Sequence, residues 1–214
     1  MVAKPVHPII LNLGKNIFIY NNIQTKQVVY SLTRSLKNNA ALKQLTYVGK
    51  KSIPRALRKD VWTPMASVEF PFASIGLKTF KKLREFRKLH ETAYPKELVQ
   101  GKTKKEKKYI LMDQKANSVA DLAVSLEWEI AQANKKAEET KETKNPMPAV
   151  GKDEVVVRWH NVYDAQFAKD WPDLVLHCHA ERAVRYTVPP KKIETAPELL
   201  AAPETAQNQE VATA

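Results

Sequence analysis

Residues 17–31 read IFIYNNIQTKQVVYS, and two short runs within them decide the fold. Ile17-Phe18-Ile19-Tyr20 and Gln27-Val28-Val29-Tyr30 are β-branched and aromatic, the side chains that suit a pleated, half-buried surface. The connection Asn21-Asn22-Ile23-Gln24-Thr25-Lys26 is polar and turn-forming, so Asn16–Ser31 is expected to be a β-hairpin. Thr33 or Ser35 is expected to cap a helix running to about Leu45, with Leu36, Ala40 and Leu45 on one side. Pro54 suits the first turn of a short helix over Pro54–Lys59, and a third strand over Ala66–Phe70 ends at Pro71.

Ser74–Glu91 has the clearest helical period. Counted from Leu77, Phe80, Leu83, Phe86 and Leu89 mark an apolar half of the helix, and Lys78, Lys81, Lys82, Arg84, Arg87 and Lys88 a basic half. Such a helix is expected to pack on a sheet and present its cations outward. A second long helix, capped by Asn117 or Ser118 and running to about Thr140, carries Val119, Leu122, Leu126 and Ile130 at helical spacing.

These elements predict an α+β protein. Residues 1–95 are expected to form a small basic domain of hairpin, helix, strand and helix. A lysine-rich linker follows over 96–116, and within it Gln100–Lys108 is expected to be unstructured until it meets phosphate. The long helix occupies 117–145, with a break at Asn145-Pro146-Met147-Pro148. A small C-terminal module over 150–190 has a strand at Glu154–His160, a helix at Tyr163–Trp171, and an ambiguous stretch over Asp173–Val188. The final residues, 191–214, hold no aromatic and are expected to be a disordered tail.

Charge points to the partner. Residues 1–110 hold 23 Lys and Arg against 6 Asp and Glu, whereas residues 111–214 hold 12 against 17. So positive a segment calls for a polyanion, and rows of Lys and Arg bind phosphates by releasing condensed counterions. The candidate nucleic-acid contacts are Lys50, Lys51, Arg55, Arg58 and Lys59; Lys78, Lys81, Lys82, Arg84, Arg87 and Lys88; and Lys102, Lys104 and Lys105. Tyr47 and Phe72, beside these clusters, are candidates to stack on bases. Trp62, Trp128, Trp159 and Trp171 sit among apolar neighbours and are expected to anchor a core or an interface.

Several function classes lack their residues. With 5 Gly in the chain there is no GxxxxGK[ST] or GxGxxG, so no cofactor is expected. His177-Cys178-His179, with His160, has no second pair at zinc spacing. Glu127 and Glu129 diverge on a helix and are expected to be solvated rather than a paired acid and base. Cys178 stands alone, which excludes an internal disulfide, and no 18-residue apolar run predicts a membrane span. Met1–Lys15, with Pro5, Pro8 and no Arg, does not read as a targeting segment.

The strings IFIYNNIQTKQVVYSLT (17–33), KKSIPRALRKDVWTPMASVEFP (50–71) and GLKTFKKLREFRKLHE (76–91) resemble the fungal mitochondrial homologous-recombination protein family. The likeness covers about the first 95 residues and, more loosely, VRWHNVYDAQFAKDWP. It implies a mitochondrial protein of the large ribosomal subunit, bound to large-subunit ribosomal RNA and neighbouring mitoribosomal proteins, without catalysis. As the alternative it implies a regulator of recombination or transcription on mitochondrial DNA. The hairpin, with Phe18-Ile19-Tyr20, Val29-Tyr30-Ser31 and Arg34, also resembles the paired strands of GIY-YIG nucleases. Phe18 and Ser31 stand where glycines are expected and no metal-binding Glu follows, so the resemblance implies a degenerate scaffold.

Overall fold

β1 (Asn16–Asn22) pairs antiparallel with β2 (Val28–Ser31), setting Phe18 opposite Ser31 and Tyr20 opposite Val29. These strands belong to a computed structural model that describes residues 13–45, 47, 52–140 and 149–180. The expected break at Asn145–Pro148, the tail over 191–214, and Lys50 and Lys51 lie outside the described residues. In the hairpin turn the Asn22 Oδ1 accepts from the N–H groups of Gln24 and Thr25 at 2.9 and 3.0 Å. This is the local bonding that makes Asn a turn residue.

β3 (Trp62–Glu69) lies on the other side of β1 and starts earlier than the sequence suggests. Its register slips: Ile19 faces Ala66 while Tyr20 faces Pro64, so Met65 bulges out. The next strand, β4 (Val155–Trp159), pairs with β3 only from Ala66 onward. Pro64, which has no N–H to donate, therefore sits where β3 has a single neighbour. β5 (Val175–His179) adds parallel to β4, giving the order β2-β1-β3-β4-β5. β4 is the strand expected over Glu154–His160, and the ambiguous stretch from Asp173 supplies β5, so both join one sheet with the hairpin. Between β4 and β5 the chain makes a 3-10 turn over Val162–Phe167 in place of the expected helix.

α1 (Asn38–Leu42) is shorter than expected and takes no cap from Thr33 or Ser35; in place of a helix over Pro54–Lys59 there is a 3-10 turn at Lys59–Val61. α2 (Ala73–Thr92) and α4 (Lys115–Glu139) agree with expectation within a few residues. The lysine-rich linker is not structureless: a 3-10 turn at Lys96–Val99 leads into α3 (Lys104–Met112). Thr103 and Glu106 close a capping box there, which satisfies N-terminal donors despite the crowd of lysines.

α2 and α4 pack on one face of the sheet. Ile17, Ile19, Val68, Val157 and Trp159 alternate inward to meet Leu83, Val119, Leu122, Leu126 and Ile130. The opposite face of the hairpin is covered by a second cluster, in which Tyr20 and Val29 meet Ala41, Leu45, Val61 and Trp62. At the start of α2, Gly76 lies so close to Gly14 that a Cβ there would stand 1.9 Å from the Gly14 carbonyl oxygen. Gly14 itself has φ +103, a conformation suited to glycine. Among the described residues no helix is long and apolar enough to cross a membrane.

Candidate nucleic-acid interface

α2 buries Ile75, Thr79, Leu83, Arg87 and Glu91, a stripe stepping by four residues. That stripe is rolled away from the expected apolar half, so Leu89 is 54% exposed while Arg87 is 4% exposed. Arg87 is therefore a correction to the expected phosphate-binding set. Its Nη2 donates to the Glu91 Oε1 at 2.9 Å and its Nε donates to the Gln114 Oε1 at 2.9 Å. Gln114 in turn donates to the same Glu91 oxygen at 2.7 Å, tying the α3–α4 junction to α2. Burial lowers the Arg87 pKa, and the Glu91 carboxylate opposes that shift.

Lys82 is also engaged internally. Its Nζ lies 3.6 Å from Glu129 and sits over the indole of Trp128. Glu129 was expected to be solvated beside Glu127, yet it is 3% exposed, because neighbours two apart on a helix point to different sides. Trp128 is half-exposed, unlike Trp62 and Trp159, which are buried as expected.

Lys78, Lys81, Arg84 and Lys88 are exposed on the outer side of α2. Across from them stands the segment joining β2 to α1. Two adjoining depressions open between the two, of about 410 Å³ and about 640 Å³. The smaller is lined by Lys43, Lys81, Arg84 and Lys88, and Lys37 borders the larger. Lys37 and Lys43 carry no local sequence signal, since they lie far from α2 along the chain and only the fold sets them opposite it. The facing wall is held by Gln44, whose side chain accepts from the Tyr30 N–H at 2.9 Å and donates to the Tyr30 carbonyl at 2.6 Å. It thereby satisfies the outer edge of β2, an end strand of the sheet.

The other expected contacts are scattered. Arg55, Arg58 and Lys59 are exposed on a segment tied to α1, where the Leu57 N–H donates to the Asn38 Oδ1 at 2.8 Å. Arg58 pairs with Asp60, and that hydrogen bond holds the Asp60 carboxyl below its ordinary pKa. Lys102, Lys104 and Lys105 are exposed around the start of α3. Tyr47 is 70% exposed, whereas Phe72 is partly buried against the main core and lines neither depression.

The histidine group is structural in its geometry. His177 Nδ1 accepts from the Trp159 indole N–H at 2.9 Å, with the rings stacked at 6.1 Å. Trp171 meets His177 edge-on at 4.5 Å, and burial pushes the His177 pKa down. His160 and His179 are exposed, and among the described residues no cluster fit for a metal ion forms.

Residues 14–97, which include β1 to β3 and α2, match the family Mhr1, described as transcriptional regulation of mitochondrial recombination. The chain is 33% identical over 190 residues to large ribosomal subunit protein mL67 of Neurospora crassa, a match covering 77% of this chain and 65% of that protein. It is 34% identical over 121 residues to large ribosomal subunit protein mL67 of Schizosaccharomyces pombe, covering 53% of this chain and 68% of that protein. The chain thus spans just under two thirds of the Neurospora relative.

Proposed function

The chain belongs to the family described as transcriptional regulation of mitochondrial recombination, and from that membership we propose that it is a structural constituent of the large mitochondrial ribosomal subunit. The observation that carries this reading is the name large ribosomal subunit protein borne by both relatives. The protein works in the mitochondrion, against large-subunit ribosomal RNA and neighbouring ribosomal proteins. Lys78, Lys81, Arg84 and Lys88, faced by Lys37 and Lys43, form the principal phosphate surface. Arg55, Arg58, Lys59, Lys102, Lys104 and Lys105 supply outlying contacts. In a magnesium sucrose gradient of mitochondrial lysate, the tagged protein should travel with large subunits. Recovery only in the light fractions would overturn the assignment.

The family description favours a second reading, action on mitochondrial DNA in recombination or transcription. Phosphate contacts serve either nucleic acid, so competition between duplex DNA and duplex RNA at one salt concentration separates the two.

The hairpin also suits a GIY-YIG-like scaffold without catalysis. Two features support this. The Tyr20 hydroxyl donates to the Arg34 carbonyl. Tyr30 is 1% exposed, and burial raises its pKa, which disfavours an active phenolate. The full chain with Mg²⁺ should leave supercoiled plasmid intact; nicking abolished by Tyr20→Phe would restore an enzymatic role.

A further inference from the structure

The two depressions beside α2 share Lys43, Gln44 and Arg84, so they form one continuous cleft with two kinds of wall. The smaller part is mainly cationic, through Lys43, Lys81, Arg84 and Lys88, with Glu85 as its one carboxylate. The larger is partly apolar, lined by Leu32, Ala40 and Phe80, with Asn38 and Asn39 at its side. Arg84 stands at the junction, its guanidinium carbon 5.7 Å from the centre of the Phe80 ring.

A paired RNA helix presents phosphates along a ridge and keeps its bases stacked inside, so it has no use for an apolar recess beside the cations. An unpaired nucleotide uses both. We propose that this cleft seats one unpaired nucleotide of RNA, with its phosphate among Lys81, Arg84 and Lys88 and its base against Phe80 and Leu32. The proposal rests on the RNA-binding reading above and adds the form of RNA that is recognised.

Three features support it. A recess of about 640 Å³ falls within the size range of small-ligand sites. Ring and guanidinium planes are the surfaces on which exposed bases stack. The wall is also preformed: Gln44 is fixed to Tyr30, and the Ser31 Oγ bonds to the Thr33 carbonyl at 2.7 Å and accepts from the Thr33 N–H at 3.2 Å. Little ordering is then left for the moment of binding.

The test titrates the full chain against a fluorescent RNA hairpin carrying a single-nucleotide bulge and against the same hairpin fully paired. The bulged RNA should bind about tenfold more tightly, the scale of one stacked base. Ala40→Trp fills the recess without changing charge and should erase that preference while leaving affinity for the paired hairpin intact. Phe80→Leu should reduce the preference, with near-ultraviolet circular dichroism confirming the fold of each variant. Equal binding of the two RNAs by the unaltered chain overturns the nucleotide cleft and leaves the ribosomal reading standing. Failure to bind either RNA removes both. Displacement of the bulged RNA by an equal concentration of polyglutamate would overturn the proposal in favour of an acidic peptide.

Discussion

The guanidinium of Arg87 and the carboxylate of Glu91 meet at 2.9 Å, one helical turn apart, with side chains 3% and 1% exposed. A helix that looks basic all along its outer half thus turns one of its cations inward. The pair is completed by Gln114, so α2 and the α3–α4 junction are joined by a small polar knot inside an apolar layer.

Removing one member of this pair leaves the other charge buried alone. Arg87→Ala should cost about 3–5 kcal/mol, the range for breaking a buried ion pair. Arg87→Met combined with Glu91→Leu should recover most of that loss, because no charge is then stranded. Denaturant unfolding of the two variants checks the contrast, and equal destabilisation by both would refute it.

The exposed cations of α2 should act on binding and not on folding. Replacing Lys78, Lys81 and Lys88 by Gln should lower the dependence of log K on log salt by about 3, near 0.9 for each duplex phosphate contact. Lys82→Gln should change that slope far less, because Lys82 is already committed to Glu129 and Trp128. RNA titrations across a salt series separate the two outcomes.

Much of this helix could be read from its sequence, but its rotation could not. The spacing of Leu83, Val119, Leu122, Leu126 and Ile130 marks the core of both long helices, and all five are buried. Periodicity ranks side chains by hydrophobicity alone, so it places Leu89 inside and Arg87 outside, the reverse of the fold. Arg87 is inside because Glu91 and Gln114 accept from its Nη2 and Nε, and Gln114 lies beyond the reach of any local pattern. Thr103 and Glu106 have capping-box spacing, but they stand in a lysine-rich stretch whose composition argues against a helix. The cleft had no linear signal, since Lys37 and Lys43 meet α2 only through the packing of α1.

Gly76→Ala should destabilise the protein by about 1–3 kcal/mol, as overpacking does. In a free helix the same change would help by about 1 kcal/mol. Here the new methyl would strike the Gly14 carbonyl, which is backbone and cannot rotate aside. Thermal unfolding gives the sign, and a stabilised variant would show that the Gly14 turn yields.

Gln44→Ala should remove about 1–3 kcal/mol, because it leaves the Tyr30 N–H and carbonyl without their partner. The Tyr30 amide should then exchange its hydrogen faster than the amides of β1. Unchanged protection would mean that another group caps the strand.

Acid should weaken the fold through His177. Its pKa is pushed below the ordinary 6.5 by burial, so the unfolded chain binds the proton more tightly. Stability should therefore be level above that value and fall as the pH drops below it, until the folded-state pKa is passed. His177→Gln should flatten this part of the curve. A wild-type curve that does not change between pH 7 and 5 would contradict the buried, neutral imidazole.

β3 lies in the middle of the sheet, yet its partner on one side is β4, which comes some ninety residues later in the sequence. A chain made from its first residue onward thus holds a finished hairpin and an open strand flank long before residues 155–159 arrive to close it. Until then that flank is free to join the wrong neighbour. Fragments ending near residue 100 should aggregate unless a chaperone or a binding partner covers that flank.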